Sequence, residues 1–300
     1  MKHVLYEITQ KFYKWARKNA MKVMVIGATL ILFDLALIIR IAGGGASAYS
    51  GVYFLDVGQG DSELIVFPDG VKFLMDGGPV QGNAYEAVGN ILPSEDRYID
   101  LVMMSHPQID HYGGLTDIVR RYRVGAFVSN GEVSEGDSFT ALEGELIAQN
   151  IPRVVLRAGD VIRHGEDFFT VLSPARAGEG ATANDDALVG DLSFSGAHLF
   201  FAADADGSVE EEVLRKWNSQ IDVLKVAHHG SRYGSTATFL TATHPRVAVI
   251  EVGRNSYGHP APETLARLAD AGARIFRTDQ EGTILVRFES GVIKIFSLKQ

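Results

Sequence analysis

Three kinds of hydrophobic pattern divide the chain. Ahead of residue 23, apolar positions recur at helical spacing among lysine and arginine residues. Residues 23–41 then form a nineteen-residue run that is apolar except for Asp34 and Arg40, and about twenty apolar residues span a bilayer as a helix. After residue 50, short apolar runs alternate with amphipathic segments and turns. The pattern therefore predicts a leader, a membrane anchor and one folded domain.

The domain at 50–300 alternates strands and helices without a long linker. The predicted strands are 52–57, 63–67, 71–75, 99–104, 125–129, 153–156, 168–172, 188–194, 198–202, 223–226, 247–252, 274–278 and 283–288. The predicted helices are 115–122, 139–149, 209–217, 236–243 and 262–271. The last helix is well marked, because Pro262 stands at its start and Gly272 lies just past its end. This order of elements predicts a layered α/β domain with one core.

The N-terminal segments predict a single-pass membrane protein. Residues 1–22 form a basic amphipathic leader, which places the N-terminus in the cytoplasm and suits the membrane surface. Asp34 costs about 2.5–3.5 kcal/mol on insertion scales, and its apolar neighbours outweigh that cost. We therefore expect a transmembrane anchor at 23–41 and an extracytoplasmic domain at 50–300. The small residues at 46–48 leave open a cleaved signal peptide, although an uncleaved anchor is the favoured interpretation.

Composition and charge narrow the chemistry. Cysteine is absent, which excludes disulfides, thiolate zinc sites and a cysteine nucleophile. The net charge of −9 is distributed as +5 on residues 1–40, −18 on 41–224 and +4 on 225–300. No broad basic surface is therefore available for binding nucleic acid, and an anionic substrate needs a local positive feature or a bound metal. Residues 51–60 hold no P-loop pattern, so no nucleotide cofactor is expected.

Histidine and aspartate residues cluster directly after apolar strands. They occur in SHPQIDH at 105–111, FFAAD at 200–204, KVAHHGS at 225–231 and YGHP at 257–260. Loops at strand ends are where α/β sheets place their sites. Imidazole and carboxylate groups together make a ligand set for a hydrolytic Zn²⁺ or Mn²⁺ centre. Two such ions would activate a water and hold a phosphoryl or acyl group.

These motifs resemble those of the metallo-β-lactamase-fold hydrolases and, within that family, the C-terminal domains of the ComEC competence proteins. In chain order they are FLDVGQGDS at 54–62, FLMDGG at 73–78, SHPQIDHYGGL at 105–115, ANDDALV at 183–189, LFFAADAD at 199–206, LKVAHHGS at 224–231 and GRNSYGHP at 253–260. The resemblance implies a metallo-β-lactamase-like αββα sandwich, here preceded by one transmembrane helix. It also implies a hydrolase whose cofactor is one or two divalent metal ions, zinc or manganese.

The resemblance also implies the roles of individual residues. The implied metal ligands are His106, Gln108, Asp110, His111, Asp204 and His228. Asp204 would bridge two ions, and Asp110 would also orient the nucleophilic water as the catalytic carboxylate. The implied substrate-binding residues are His229, Ser231, Arg232, Arg254, Asn255 and His259.

Gln108 is the main departure from the family, which carries histidine or aspartate there. Glutamine is a neutral ligand, and hard divalent cations favour carboxylate oxygen. We therefore expect the ion held by His106 and Gln108 to be the weaker of two. Ala187 also replaces the serine of the family's Asn-x-x-Ser segment, and Asp185 or Asp186 beside it offers a compensating carboxylate.

Three functions fit this sequence. The favoured one is a membrane-anchored, exported phosphodiesterase or nuclease resembling the ComEC hydrolase domain in DNA uptake. Its expected partners are the lipid bilayer, DNA and a separate DNA-uptake channel protein, because one span cannot conduct DNA. The second is a hydrolase of a small ester, lactone or phosphodiester, which the acidic 41–224 region favours. The third is a catalytically weak binding module that has lost one metal, which Gln108 and Ala187 favour.

Overall fold

The computed structural model describes residues 2–42, 50–176, 178, 180, 182–217, 219–289 and 291–299. The chain divides into two compact units, residues 1–48 and residues 49–300. In the first unit the structure describes two helices, α1 (Lys2–Lys18) and α2 (Ala20–Ala42). The apolar run at 23–41 is therefore helical, and the small residues at 46–48 lie outside the described ranges. Within those ranges, no helix is both long and apolar enough to cross a membrane.

The second unit is built on two mixed β-sheets. Over the described residues its strands are β1 (Gly51–Phe54), β2 (Glu63–Val66), β3 (Lys72–Met75), β4 (Tyr98–Met104), β5 (Arg123–Ser129), β6 (Arg153–Val155), β7 (Val161–His164), β8 (Asp167–Ser173), β9 (Val189–Phe194), β10 (Ala197–Phe201), β11 (Val223–Lys225), β12 (Val247–Ile250), β13 (Arg274–Arg277), β14 (Thr283–Glu289) and β15 (Val292–Leu298). One sheet has the order β15-β14-β1-β2-β3-β4-β5-β6, and the other has the order β13-β12-β11-β10-β9-β8-β7.

Helices alternate with these strands along the described part of the second unit. They are α3 (Ala84–Ile91), α4 (Ile109–Tyr112), α5 (Leu115–Arg121), α6 (Asp137–Ala148), α7 (Gly207–Lys216), α8 (Ala237–Thr243), α9 (Pro262–Asp270) and α10 (Thr278–Glu281), with a 3₁₀ turn at Ala227–Gly230. A central apolar cluster fills the space between the sheets, where Phe54 stacks on Phe201 from the opposite sheet. Separate clusters pack α3, α5 and α6 on the first sheet and α7, α8 and α9 on the second. The result is the predicted four-layer αββα sandwich.

All of the predicted strands and helices of this unit occur, with shifts of a few residues at their ends. The prediction missed β7, β15, helix α3 and the four-residue helices α4 and α10. Both strands lie at the edges of their sheets, and β15 alternates exposed and half-buried positions rather than forming an apolar run. An edge strand pairs on one side only, so its sequence carries a weaker pattern than that of a central strand.

Strand direction brings the candidate loops to one edge of the sandwich. Strands β3, β4 and β5 run parallel in the first sheet, as do β10, β11 and β12 in the second. The carboxyl ends of neighbouring parallel strands meet at one edge of a sheet, which is where α/β domains place ligands. The segments at 105–111, 202–206, 226–231 and 251–260 all follow such ends, so the histidine motifs converge there.

Candidate metal centre

Four side chains form a compact group of ligand atoms at this edge. Asp110, His111, Asp204 and His229 each contribute one atom, and these atoms lie within 4.8 Å of one another. Oδ1 of Asp204 lies 3.3 Å from Nε2 of His111 and 3.8 Å from Nε2 of His229. Nε2 of His229 lies 3.4 Å from Oδ2 of Asp110. Asp204 therefore sits at the centre of the group, which we call the ligand cluster.

The cluster and the adjoining His106 hold a concentration of unpaired polar atoms. Within the described residues, Nε2 of His106, His111 and His229 and both carboxylate oxygens of Asp204 are buried and have no hydrogen-bond partner. The rings of His106 and His111 are 4.1 Å apart. Buried polar atoms are ordinarily paired, because an unpaired one is costly. Imidazole nitrogens and a carboxylate are donors that zinc and manganese accept, so these residues fit divalent cations.

The Nδ1 atoms of both cluster histidines are held by neighbouring acceptors. His111 Nδ1 lies 2.8 Å from the carboxylate of Asp76. His229 Nδ1 lies 3.0 Å from the carbonyl oxygen of Glu251 and 3.1 Å from the carboxylate of Asp61. Such acceptors fix the tautomer and the ring orientation of a metal-binding histidine. They leave Nε2 of each ring free to face Asp204.

Asp76 also fixes the loop that carries His106. Its carboxylate accepts hydrogen bonds from the backbone N–H of Ser105 at 2.7 Å and from the Ser105 hydroxyl at 2.6 Å. The same hydroxyl lies 3.0 Å from Nδ1 of His106. Asp76, Asp61 and His111 form a second compact group of possible ligand atoms. Because Nδ1 of His111 is already bound to Asp76, this group acts as a support rather than as a second centre.

When its histidines are neutral, the ligand cluster carries the uncompensated negative charge of its two aspartates. Burial by itself lowers the pKa of His229, but the carboxylates of Asp204 and Asp61 outweigh it and raise this pKa to about 10. Burial raises the pKa of Asp204, while His111 and His229 together hold it well below its usual range. Burial, aided by the charge of His111, lowers the pKa of His106 to about 4. The site thus favours a positive species beside ionised Asp204, and His106 offers a neutral nitrogen.

His228 and His229 occupy different surroundings from those that the sequence implied. His229, assigned to substrate binding, is buried and belongs to the ligand cluster. The side chain of His228, assigned as a ligand, is 33% exposed, and its Nε2 lies 3.5 Å from Oδ2 of Asp204. Both residues have left-handed backbone, with φ of 49° and 53°. At this turn the two neighbouring imidazoles approach different oxygens of the Asp204 carboxylate.

Gln108 and the acidic residues after Asn184 are engaged elsewhere. The Gln108 side-chain amide donates a hydrogen bond to the side-chain carbonyl of Asn184. The carboxylate of Asp185 accepts hydrogen bonds from the backbone and hydroxyl of Thr182. That of Asp186 accepts from the backbone N–H groups of Gly178 and Gly180. Neither aspartate belongs to the ligand cluster.

The implied substrate-binding residues divide into buried and exposed groups. Ser231 is buried, and its hydroxyl accepts a hydrogen bond from the backbone of Tyr233. The Asn255 side chain binds the backbone of its own loop and so shapes that loop. His259 lies beside His228, with ring centroids 5.7 Å apart. Arg232 and Arg254 are exposed, with no carboxylate within salt-bridge distance in the part of the chain that the structure describes.

Sequence reasoning missed the buried ion pair of Lys225 and Asp61, which lies next to the ligand cluster. The Lys225 side chain is completely buried, and it forms an ion pair with the buried carboxylate of Asp61. The available signal was a lysine in an otherwise apolar strand, three positions before His228. The backbone at Gly60, next to Asp61, packs closely against the carbonyl oxygen of Asp110. A Cβ at Gly60 would lie only 2.3 Å from that oxygen, so the position requires glycine. This contact places the segment that carries Asp61 against the loop that carries Asp110 and His111.

The fold and this site together define the class of protein. The metallo-beta-lactamase superfamily matches residues 55–253, and the chain belongs to it. It is a metal-dependent hydrolase, and its fold binds one or two divalent metal ions. The structure is similar to that of Igni18, a metallo hydrolase from Ignicoccus hospitalis, with a TM-score of 0.54 and 15% identity over 80% of this chain and 100% of that chain.

Among individual proteins, the chain is similar to competence proteins. It is 29% identical over 265 residues to ComE operon protein 3 of Bacillus subtilis (strain 168), covering 82% of this chain and 34% of that protein. It is 27% identical over 247 residues to competence protein ComA of Neisseria gonorrhoeae, covering 81% of this chain and 33% of that protein. The chain thus spans about a third of the length of these curated relatives.

Proposed function

We propose that this hydrolase is a phosphodiesterase that cleaves DNA in the course of DNA uptake. One of its relatives is named as a competence protein, and competence is the uptake of DNA. The similarity runs through most of this chain, including every motif of the ligand cluster. We propose that the remaining functions of DNA uptake belong to a separate channel protein.

The observation that carries this proposal is the pair of exposed arginines near the cluster. Arg232 lies two positions after the 3₁₀ turn Ala227–Gly230. Burial and the charges of His228 and His229 lower the pKa of His259, and the charge of Arg232 lowers it further. Arg254 lies in the loop that leads to His259. Both stand in a domain that is otherwise strongly acidic, and arginine binds phosphate by paired hydrogen bonds. They offer the local positive feature that an anionic substrate needs here.

The chemistry proposed for the cluster assigns a separate task to each of its residues. A divalent ion held by His106, His111, Asp204 and His229 would supply a Lewis acid for the phosphoryl oxygen. The side chain of Asp110 is 29% exposed and so reaches solvent, unlike that of Asp204. Burial raises the pKa of Asp110, but His229 and His111 lower it overall, so the carboxylate is ionised at neutral pH. Asp110 can therefore accept a hydrogen bond from the attacking water and orient it.

Cleavage assays on the full chain test the proposal. Single- and double-stranded DNA would be incubated with the protein and added Mn²⁺ or Zn²⁺, with Asp204→Asn as the inactive control. Wild type should cleave DNA, and the paired Arg232→Ala and Arg254→Ala substitutions should weaken binding. Loss of two phosphate contacts should reduce the slope of log K against log salt by about 1.4 for a single strand. Hydrolysis of small esters or lactones without any cleavage of DNA would instead identify a small-molecule hydrolase.

We also propose that the N-terminal helices hold the enzyme at a membrane, with the N-terminus in the cytoplasm and the hydrolase domain outside. The support is the apolar run at 23–41 and the exposure of its side chains. Ile31, Leu32 and Phe33 are each at least 65% exposed, although consecutive helical positions point to different sides. Apolar side chains on several sides of a helix need an apolar environment. A reporter fused after Gln300 should lie outside the cytoplasm, and a cytoplasmic signal would refute this topology.

A further inference from the structure

A row of aromatic rings leads from the ligand cluster to the surface. His228 lies 3.5 Å from Oδ2 of Asp204 through its Nε2. The ring of His259 stands edge-on to His228, with centroids 5.7 Å apart at 68°. The ring of Tyr257 stacks on His259, with centroids 5.9 Å apart at 28°. Tyr257 is 74% exposed, so the row ends in an aromatic ring that is open to solvent.

The loop that carries Tyr257 is held in place by its own hydrogen bonds. Oδ1 of Asn255 accepts from the backbone N–H groups of Tyr257 and His259, each at 3.1 Å. Nδ2 of Asn255 donates to the carbonyl oxygens of Gly253 and His259, each at 2.9 Å. All of the bonds of this amide thus stay within one loop. The exposed ring is therefore preorganised rather than loosely placed, which reduces the entropy lost when a ligand binds.

The charges near Tyr257 favour a ligand that is both aromatic and anionic. Arg254 precedes Tyr257 in the same loop, and Arg232 lies three positions after His229. Both guanidinium groups are exposed and lack an acidic partner among the described residues. An exposed aromatic ring in a segment that also carries exposed arginines suits a nucleotide, whose base stacks on an aromatic side chain while its phosphate binds arginine.

We infer that Tyr257 is a stacking platform for a nucleobase next to the phosphodiester that the ligand cluster receives. This inference rests on the proposed nuclease function and specifies its substrate as a single strand. Bases in a duplex are stacked on one another and paired, whereas those of a single strand can lie flat on a protein ring. The Tyr257 ring contacts the flat face of any base. It therefore favours single-stranded over double-stranded DNA but does not discriminate between sequences.

Two variants and two ligands test this inference in the full chain. With the metal-loaded protein, fluorescence anisotropy would measure the binding of labelled oligothymidylate and of an abasic strand of equal length, both with phosphorothioate linkages that resist cleavage. Tyr257→Ala should weaken binding of oligothymidylate about 5- to 150-fold, as expected for one base stacked on an aromatic ring. Tyr257→Phe should bind as wild type does, because it keeps the ring. Binding of the abasic strand should be the same for all three proteins.

Tyr98→Ala provides the matched control, because Tyr98 is also exposed but begins strand β4, whereas the cluster follows the end of that strand. It should bind both strands as wild type does. If wild type cleaves DNA but Tyr257→Ala binds oligothymidylate equally well, the stacking inference is overturned and the nuclease function stands. If Tyr257→Ala loses affinity equally for both strands, the contact is not with a base and the inference is overturned. If wild type neither binds nor cleaves DNA, both proposals fail.

Discussion

The ammonium group of Lys225 and the carboxylate of Asp61 form an ion pair beneath the ligand cluster, with side-chain exposures of 0% and 1%. Lys225 also donates to the carbonyl oxygen of Ala203 at 3.1 Å, directly before Asp204. The other carboxylate oxygen of Asp61 lies 3.1 Å from Nδ1 of His229. One buried lysine therefore connects the loops that position two residues of the cluster. Burial raises the pKa of Asp61, but Lys225 and His229 outweigh it and lower this pKa to about 2.

Replacing Lys225 by methionine should destabilise the protein strongly. The substitution keeps most of the side-chain volume but leaves Asp61 buried and without its cation, which typically costs about 3–5 kcal/mol. Urea unfolding of the metal-free protein would measure the loss. Lys216→Met is the matched control, because Lys216 pairs with Glu212 on an exposed helix surface, where such pairs contribute about 0.3–0.5 kcal/mol. Equal losses in the two variants would contradict a structural role for the buried pair.

The two adjacent histidines should differ in their effect on metal content. His229→Ala removes a buried Nε2 from the ligand cluster, whereas His228→Ala removes a side chain that is partly exposed. We expect metal affinity to fall at least about tenfold in His229→Ala, and to fall less in His228→Ala. Metal analysis after dialysis against graded chelator would rank them. The reverse order would favour the ligand assignment that the sequence implied and would refute the geometry described above.

This pair also shows how far sequence reasoning reaches. His106, His111 and Asp204 could be located because each follows an apolar strand, and strand direction then brings them together. The choice between His228 and His229 depends on backbone torsions, since both residues are left-handed at this turn. Hydrophobic periodicity carries no information about such torsions. Lys225 was missed for a related reason, because a lone lysine in a strand gives no indication of the carboxylate that it meets across the fold.

Stability should fall as the pH rises because of two buried acids near the cluster. Burial, followed by repulsion from Asp61, raises the pKa of Glu63 to about 8. Burial and the charge of Glu63 raise that of Glu251 well above its usual value. Between about pH 4.5 and pH 8, the folded state therefore keeps protons that the unfolded state has released. The stabilisation that these protonated acids provide is complete below about pH 4.5 and is lost as the pH rises through about 8.

Glu63→Gln should reduce this dependence, because glutamine cannot ionise. Thermal unfolding at pH 6 and pH 9 would show a smaller drop in Tm for Glu63→Gln than for wild type. Glu212→Gln, on the exposed face of helix α7, should keep the wild-type drop. An unchanged drop in Glu63→Gln would mean that another group causes the alkaline loss of stability.

The last prediction concerns Gln108, where the chain departs from the family pattern. Its amide donates to Asn184, whose Nδ2 lies 3.4 Å from Nδ1 of His228. Gln108→Asp removes that donor and adds a negative charge in the loop of His106, where Nε2 is buried and unpaired. Because divalent cations favour carboxylate over amide oxygen, this variant should bind Mn²⁺ at least about tenfold more tightly in a competition titration. Asp185→Ala and Asp186→Ala should leave the affinity unchanged, since both carboxylates bind their own loop. If Gln108→Asp binds no more tightly while either alanine variant loses metal, the acidic residues after Asn184 already supply the missing charge, and the hydrogen bonds that now hold them must give way when the cation enters.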